Sequence, residues 1–147
     1  MARYVTSVAT PLPADEAFYY MADVTKFSEW DPGVKHVRRV AGDGVGAGTA
    51  YDLTVQAGGT TVMRYEVKEC EPPRRMVLVA RTAFLTSVDE VRVEARGSGS
   101  TVTYDAKLTL NGPLGLFDPV LRVAFRHIGD RAAGGLRRVL SGEVVGR

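Results

Sequence analysis

The chain is short of the residues that build covalent or metal-dependent sites. Its one cysteine, Cys70, leaves no internal disulfide to form and fits a reducing compartment. Only two histidines, His36 and His127, accompany it. No spacing among these three residues supplies a zinc ligand set, so no metal is expected. An excess of one charge is lacking too: 19 Lys and Arg against 17 Asp and Glu leave a net +2. The arginine pairs Arg38-Arg39, Arg74-Arg75 and Arg137-Arg138 are scattered rather than continuous, and no nucleic acid partner is expected.

Long hydrophobic runs are absent. The longest aliphatic stretch, Met76 to Ala80, is far too short to span a bilayer. Met1-Ala2-Arg3-Tyr4 opens without the apolar region of a secretory signal, so no membrane insertion and a cytoplasmic location are expected. No linker or repeat interrupts the 147 residues, and residues 1–147 are expected to form a single domain able to bury a proper core. Familiar catalytic signatures are missing. Gly42, Gly44, Gly46 and Gly48 superficially resemble a phosphate loop, but they join two strand patterns, whereas a dinucleotide fingerprint opens a helix. Neither a Gly-x-Ser-x-Gly elbow nor a Ser/His/Asp set is apparent, and no cofactor is expected.

What is present is periodicity. Residues 3 to 10 alternate as a first strand, stopped by Pro11 and Pro13. Ala14 to Ala22 then predicts a short helix with Ala14, Ala17, Phe18 and Met21 on one face, and Thr25 to Trp30 a second that sets Phe27 and Trp30 at i, i+3. From Val34 the period changes to two. Strands are predicted over Val34 to Ala41, Thr49 to Ala57, Thr60 to Cys70, Met76 to Arg81, Leu85 to Arg96 and Thr101 to Leu110, with Gly58-Gly59 as a two-residue hairpin turn.

A long helix, Asp118 to Ser141, closes the chain. Asp118 is the predicted N-cap, Pro119 suits the first turn and Gly142 the end. It spans about 34 Å, and Leu121, Ala124, Phe125, Ile128, Ala132, Gly135, Leu136 and Val139 form its apolar stripe. Gly129, Gly134 and Gly135 each cost about 1 kcal/mol against alanine. Close approach to the sheet, a kink or room for a guest would each account for them. The order predicts an α+β fold in which a curved seven-stranded antiparallel sheet wraps around the long C-terminal helix, with two short helices after strand 1.

This layout, together with Pro13-Ala14-Asp15-Glu16-Ala17-Phe18, Asp23-Val24, Glu29-Trp30-Asp31-Pro32 and the helix running to Leu140, resembles the START-like (SRPBCC) superfamily, in its bacterial polyketide cyclase/dehydrase and lipid-transport branch. The resemblance covers essentially the whole chain. It implies a helix-grip fold with a deep apolar cavity between helix and sheet, and it places Trp30 near the short helices on the cavity side. It transfers no catalytic motif. Relatives bind lipids, sterols or aromatic polyketides, act as cyclases, or are ribosome-associated or toxin-like.

Strand parity puts Tyr51, Met63, Tyr65, Val91, Val93 and Tyr104 on the concave face, joined by Phe18, Phe125, Ile128 and Gly135 from helices. Such a surface suits a flat hydrophobic ligand, and it equally suits plain core packing. A buried tyrosine such as Tyr104 would orient a ligand oxygen or serve as a general acid. Asp89 falls inside with Ser87 by the parity of Val91 and Val93, where burial would raise its pKa; a bulge, or a strand starting later, would leave it wet. His127 sits at the margin of the helical stripe, either tipped into the cavity mouth or half exposed. Three functions follow as expectations: a binder of a small hydrophobic molecule (lipid, sterol or polyketide-like), a cofactor-independent cyclase or dehydratase using Asp89, His127 or Tyr104, and a toxin-like or ribosome-associated interaction module using the outer arginines Arg122, Arg126 and Arg137. Monomer and homodimer both remain open.

Overall fold

The computed structural model describes residues 1–44, 46–56, 59–141 and 143–146, the last four by backbone alone. Strand β1 (Ala2–Thr10) leads into helix α1 (Ala14–Ala22), a 3-10 turn (Val24–Lys26) and the single turn α2 (Phe27–Trp30). Strands β2 (Val34–Ala41), β3 (Ala50–Gln56), β4 (Thr60–Glu71), β5 (Arg75–Arg81), β6 (Leu85–Arg96) and β7 (Gly99–Leu110) follow, then a 3-10 segment (Gly112–Phe117) and helix α3 (Asp118–Val139). The expected seven strands, two short helices and long helix are all present in this helix-grip arrangement. A short strand β8 (Glu143–Gly146), which no alternation announces, is added against residues 7–9 of β1.

The spatial order is β2-β3-β4-β5-β6-β7-β1-β8, so β1 closes onto β7 and the rest is an antiparallel meander. Register carries the inward positions across neighbouring strands: Leu78 lies opposite Asp89, Asp89 opposite Ala106 and Ala106 opposite Tyr4, while Val91, Tyr104 and Thr6 form the adjacent row. Period-two alternation hides one side of β1, where Ala2, Tyr4, Thr6, Val8 and Thr10 are buried.

Helix α3 is held at its C-terminal half. A Cβ on Gly135 would fall 1.7 Å from the carbonyl oxygen of Trp30, and one on Gly129 would fall 2.3 Å from the Tyr4 ring. These two glycines therefore mark close approach. Gly134, with nothing within 4 Å of its Cβ position, does not. Thr10 Oγ1 donates to the Leu140 carbonyl at 2.6 Å, and an Arg138 N–H donates to the Glu29 carbonyl at 2.8 Å. The N-terminal half is tied to the chain's start through Asp118 and Arg122 at Met1, yet Val120 and Val123 there are exposed, as are Leu116 and Phe117 of the preceding 3-10 segment. The predicted stripe therefore weakens there, with Leu121 and Phe125 half-buried and Ala124 exposed.

The predicted cap is corrected as well. Phe117 occupies the N-cap and Asp118 is the first helical residue, making no capping bond. Its carboxylate instead binds the amino group of Met1 and, at 3.1 Å, Arg122. The charge still sits at the positive end of the helix dipole. The α3 helix ends at Val139, and Ser141 takes a left-handed φ of 51°. Gly142, the predicted terminator, and Gly58 of the predicted hairpin turn lie outside the described residues. No helix among the described residues is long and apolar enough to cross a membrane.

Candidate functional site

A cavity of about 250 Å³ opens between α3 and the sheet. Phe125, Ile128, Gly129, Ala132, Ala133 and Leu136 line it from the helix, and Leu53, Met63, Tyr65 and Tyr104 line it from the sheet. Gln56 and Thr61 on its rim are exposed, and Val55, Leu85 and Leu108 are half-buried. The mouth therefore lies between the N-terminal half of α3 and the strand ends.

Four polar side chains form one hydrogen-bonded chain along the wall. Tyr65 Oη donates to Ser87 Oγ at 2.9 Å, Ser87 Oγ reaches Asp89 Oδ1 at 3.4 Å, and Tyr104 Oη donates to Asp89 Oδ2 at 2.5 Å. Asp89 is buried, as strand parity requires, rather than left in water by a bulge. Desolvation pushes its carboxyl up to about 7, against the opposing bond from Tyr104. Burial next to that carboxylate raises Tyr104 well above the usual phenol range, and burial likewise raises Tyr65. Asp105, also buried and on the opposite face of the sheet, shows what Asp89 lacks. There burial is outweighed by Arg3, whose two nitrogens bind the carboxylate at 2.7 and 3.0 Å, and the pKa falls.

The remaining candidates divide. Met63, Tyr65, Tyr104, Phe125 and Ile128 reach the cavity. Phe18 and Tyr51 instead border a separate outer cleft with Arg39, Asp43 and Cys70. Val91 and Val93 are buried core. Trp30 is buried against Phe27 and Tyr104, with ring centroids at 4.9 and 5.2 Å. Gly135 touches the Trp30 backbone and offers no room for a guest. His127 is exposed and does not line the cavity. Among the described residues no group of three or more His, Cys, Asp or Glu could hold a metal ion.

Sequence reasoning missed Tyr4, Thr6, Phe27 and Asp31, all of which line the cavity. Tyr4 and Thr6 follow from the same parity that buries Val8, so β1 carried the signal. Asp31 carried none, since it lies just beyond α2, where no period applies. Burial raises its pKa, opposed by a bond from the Gly33 N–H at 2.9 Å and by the charges of Arg131 and Lys35.

The chain resembles several known proteins. Toxin Rv0910 of Mycobacterium tuberculosis is 29% identical over 126 residues, covering 79% of this chain and 84% of that protein. A START superfamily protein from Mycobacterium smegmatis superposes with a TM-score of 0.76 at 14% identity, covering 96% of this chain and 98% of its own. The di-domain ARO/CYC StfQ from the steffimycin biosynthetic pathway matches at a TM-score of 0.72 and 16% identity, over 95% of this chain and 50% of that one. These structural likenesses establish the fold. The sequence profile described as polyketide cyclase / dehydrase and lipid transport extends over residues 1–141, and with it a long helix laid over an apolar hollow finds its place: the chain belongs to the polyketide cyclase/dehydrase and lipid-transport family.

Proposed function

We propose that the whole chain acts as one cytoplasmic domain that binds a small, largely apolar ring-containing molecule in the cavity under α3, without a cofactor. The observation that carries this reading is the pairing of an apolar wall with one localized polar chain, Tyr65-Ser87-Asp89-Tyr104. Sites of this kind hold their guest by apolar contact and orient it with a few polar groups. The volume of about 250 Å³ lies just below the range of roughly 300–1,000 Å³ usual for small-molecule sites. A polyketide-like ring system therefore suits it better than a sterol or a long-chain lipid. The test is native mass spectrometry of freshly purified protein, which should show a bound small molecule. Ala132→Leu, which projects into the cavity, should abolish uptake while the far-UV circular dichroism stays unchanged; a folded variant with undiminished uptake refutes the site.

One observation favours a second reading, a cyclase or dehydratase. Asp89, held near neutrality at about 7, can give or take a proton at working pH. Asp89→Asn should then retain binding and lose turnover, and an unchanged rate removes Asp89 from the mechanism. An interaction module of the kind suggested by a relative named as a toxin draws less support. On the basic outer face Arg122 is already engaged by Asp118 and by the Met1 carbonyl.

A further inference from the structure

The buried part of the cavity wall, inward of the exposed rim residues Gln56 and Thr61, is rich in hydrogen-bond acceptors and poor in donors. Each of its three phenols has already committed its proton: Tyr4 donates to Asp130 at 2.6 Å, Tyr65 to Ser87 at 2.9 Å and Tyr104 to Asp89 at 2.5 Å. Ser87 turns its own proton toward Asp89 Oδ1, but at 3.4 Å this bond is long, and Oδ1 keeps accepting capacity. Asp31 takes the Gly33 N–H on Oδ1, and its second oxygen accepts no hydrogen bond among the described residues. The Thr6 hydroxyl is buried and unpartnered among the described residues, and it can serve in either sense. No described lysine, arginine or histidine lines the space, whereas Phe27, Phe125 and three tyrosines do. A guest carboxylate, phosphate or ketone would find side-chain donors only in the Thr6 hydroxyl and, out on the exposed rim, in Gln56 and Thr61.

We propose that the guest is a hydrophobic amine, a small ring system whose ammonium group bonds to Asp89, is drawn further by Asp31 and lies against the faces of the surrounding aromatic rings. This deepens the binding proposal above and rests on it. An ammonium supplies donors without demanding any, which matches what the wall has left to offer. Aromatic faces attract cations in addition. Burial disfavours the ionised form of both carboxyls, and a cation beside them would favour it again. The neighbouring charges do not cancel this field. Asp105 behind Asp89 is neutralised by Arg3 and Lys107. Arg131 and Lys35 act on Asp31 from outside the cavity lining.

The experiment compares three probes of one shape by calorimetry: 2-naphthylmethylamine, 2-naphthylmethanol and 2-naphthoate. At about pH 8 the amine should bind on the order of tenfold more tightly than the alcohol, and the carboxylate should bind least. Lowering the pH to about 6 protonates Asp89 while the amine stays charged, so the amine should lose roughly tenfold in affinity while the alcohol holds. Asp31→Asn should narrow the preference for amine over alcohol. Equal binding of amine and alcohol, preference for the carboxylate, or amine binding that strengthens at low pH overturns the amine assignment and leaves the cavity-binder reading standing. Failure of all three probes to bind overturns both.

Discussion

The adjacent glycines of α3 offer a paired test of the packing. Both lie inside the helix, so replacement by alanine should return about 1 kcal/mol of helix propensity at either position. At Gly134 the added methyl meets nothing within 4 Å, and that gain should be realised. At Gly135 the methyl would stand 1.7 Å from the Trp30 carbonyl oxygen and 2.6 Å from its carbonyl carbon, both of them backbone atoms. No side-chain rotation relieves such a clash, so α2 and α3 must separate by more than an ångström. Overpacking of this severity costs about 1–3 kcal/mol and occasionally more. The propensity gain is common to both, so the two variants should differ by the overpacking cost, about 1–3 kcal/mol in urea unfolding, which is roughly 2–12 °C in Tm for a domain of this size. Trp30 is the one tryptophan and is buried at the contact, so its fluorescence should also shift in folded Gly135→Ala. If the two variants unfold within about 0.5 kcal/mol of each other, the close approach of helix and backbone is wrong.

Further outcomes follow from the polar wall. The folded pKa of Asp89 is raised from 3.8 to about 7, so the folded state holds its proton more tightly than the unfolded chain does. The stability this gives is full below about pH 4 and is lost as pH rises to 7, up to about 4 kcal/mol; Asp89→Asn should flatten that stretch of the stability profile. Tyr104→Phe removes the bond that favours the ionised carboxylate, so the Asp89 midpoint followed by carbon-detected NMR should move upward; a fall would show that Tyr104 does not donate to it. Thr6→Val replaces a buried hydroxyl that has no partner among the described residues, so stability should hold or rise slightly, and a loss above about 1 kcal/mol would reveal a hydrogen bond at that oxygen. Leu136→Ala removes a fully buried side chain under the helix and should cost about 2–5 kcal/mol by thermal or urea unfolding.

The sheet was legible because period-two alternation is written plainly in β3, β4, β6 and β7. The same parity put Asp89 inside, and the structure buries it there. The short strand β8 was not legible, because four residues after a helix leave no period to count. The site was half legible for a similar reason. Parity assigns a face but not a depth: Val91 shares the concave face with Asp89, and yet it is core while Asp89 borders the hollow. Helical periodicity likewise placed Gly135 on the inner stripe without saying whether backbone or empty space lay beneath it. The outcome depended on α2, whose path after Asp23 no pattern fixes.

The uneven seating of α3 divides the tolerances of a single element. From Gly129 onward, neighbouring backbone and rings leave little latitude for substitution, and this portion fixes the body of the protein. Between Asp118 and Phe125, apart from Asp118 and Arg122 at Met1, the side chains of Val120, Val123 and Ala124 are exposed, so substitutions at those positions should leave the frame unchanged. One continuous rod thus combines a rigid foundation with a tolerant threshold.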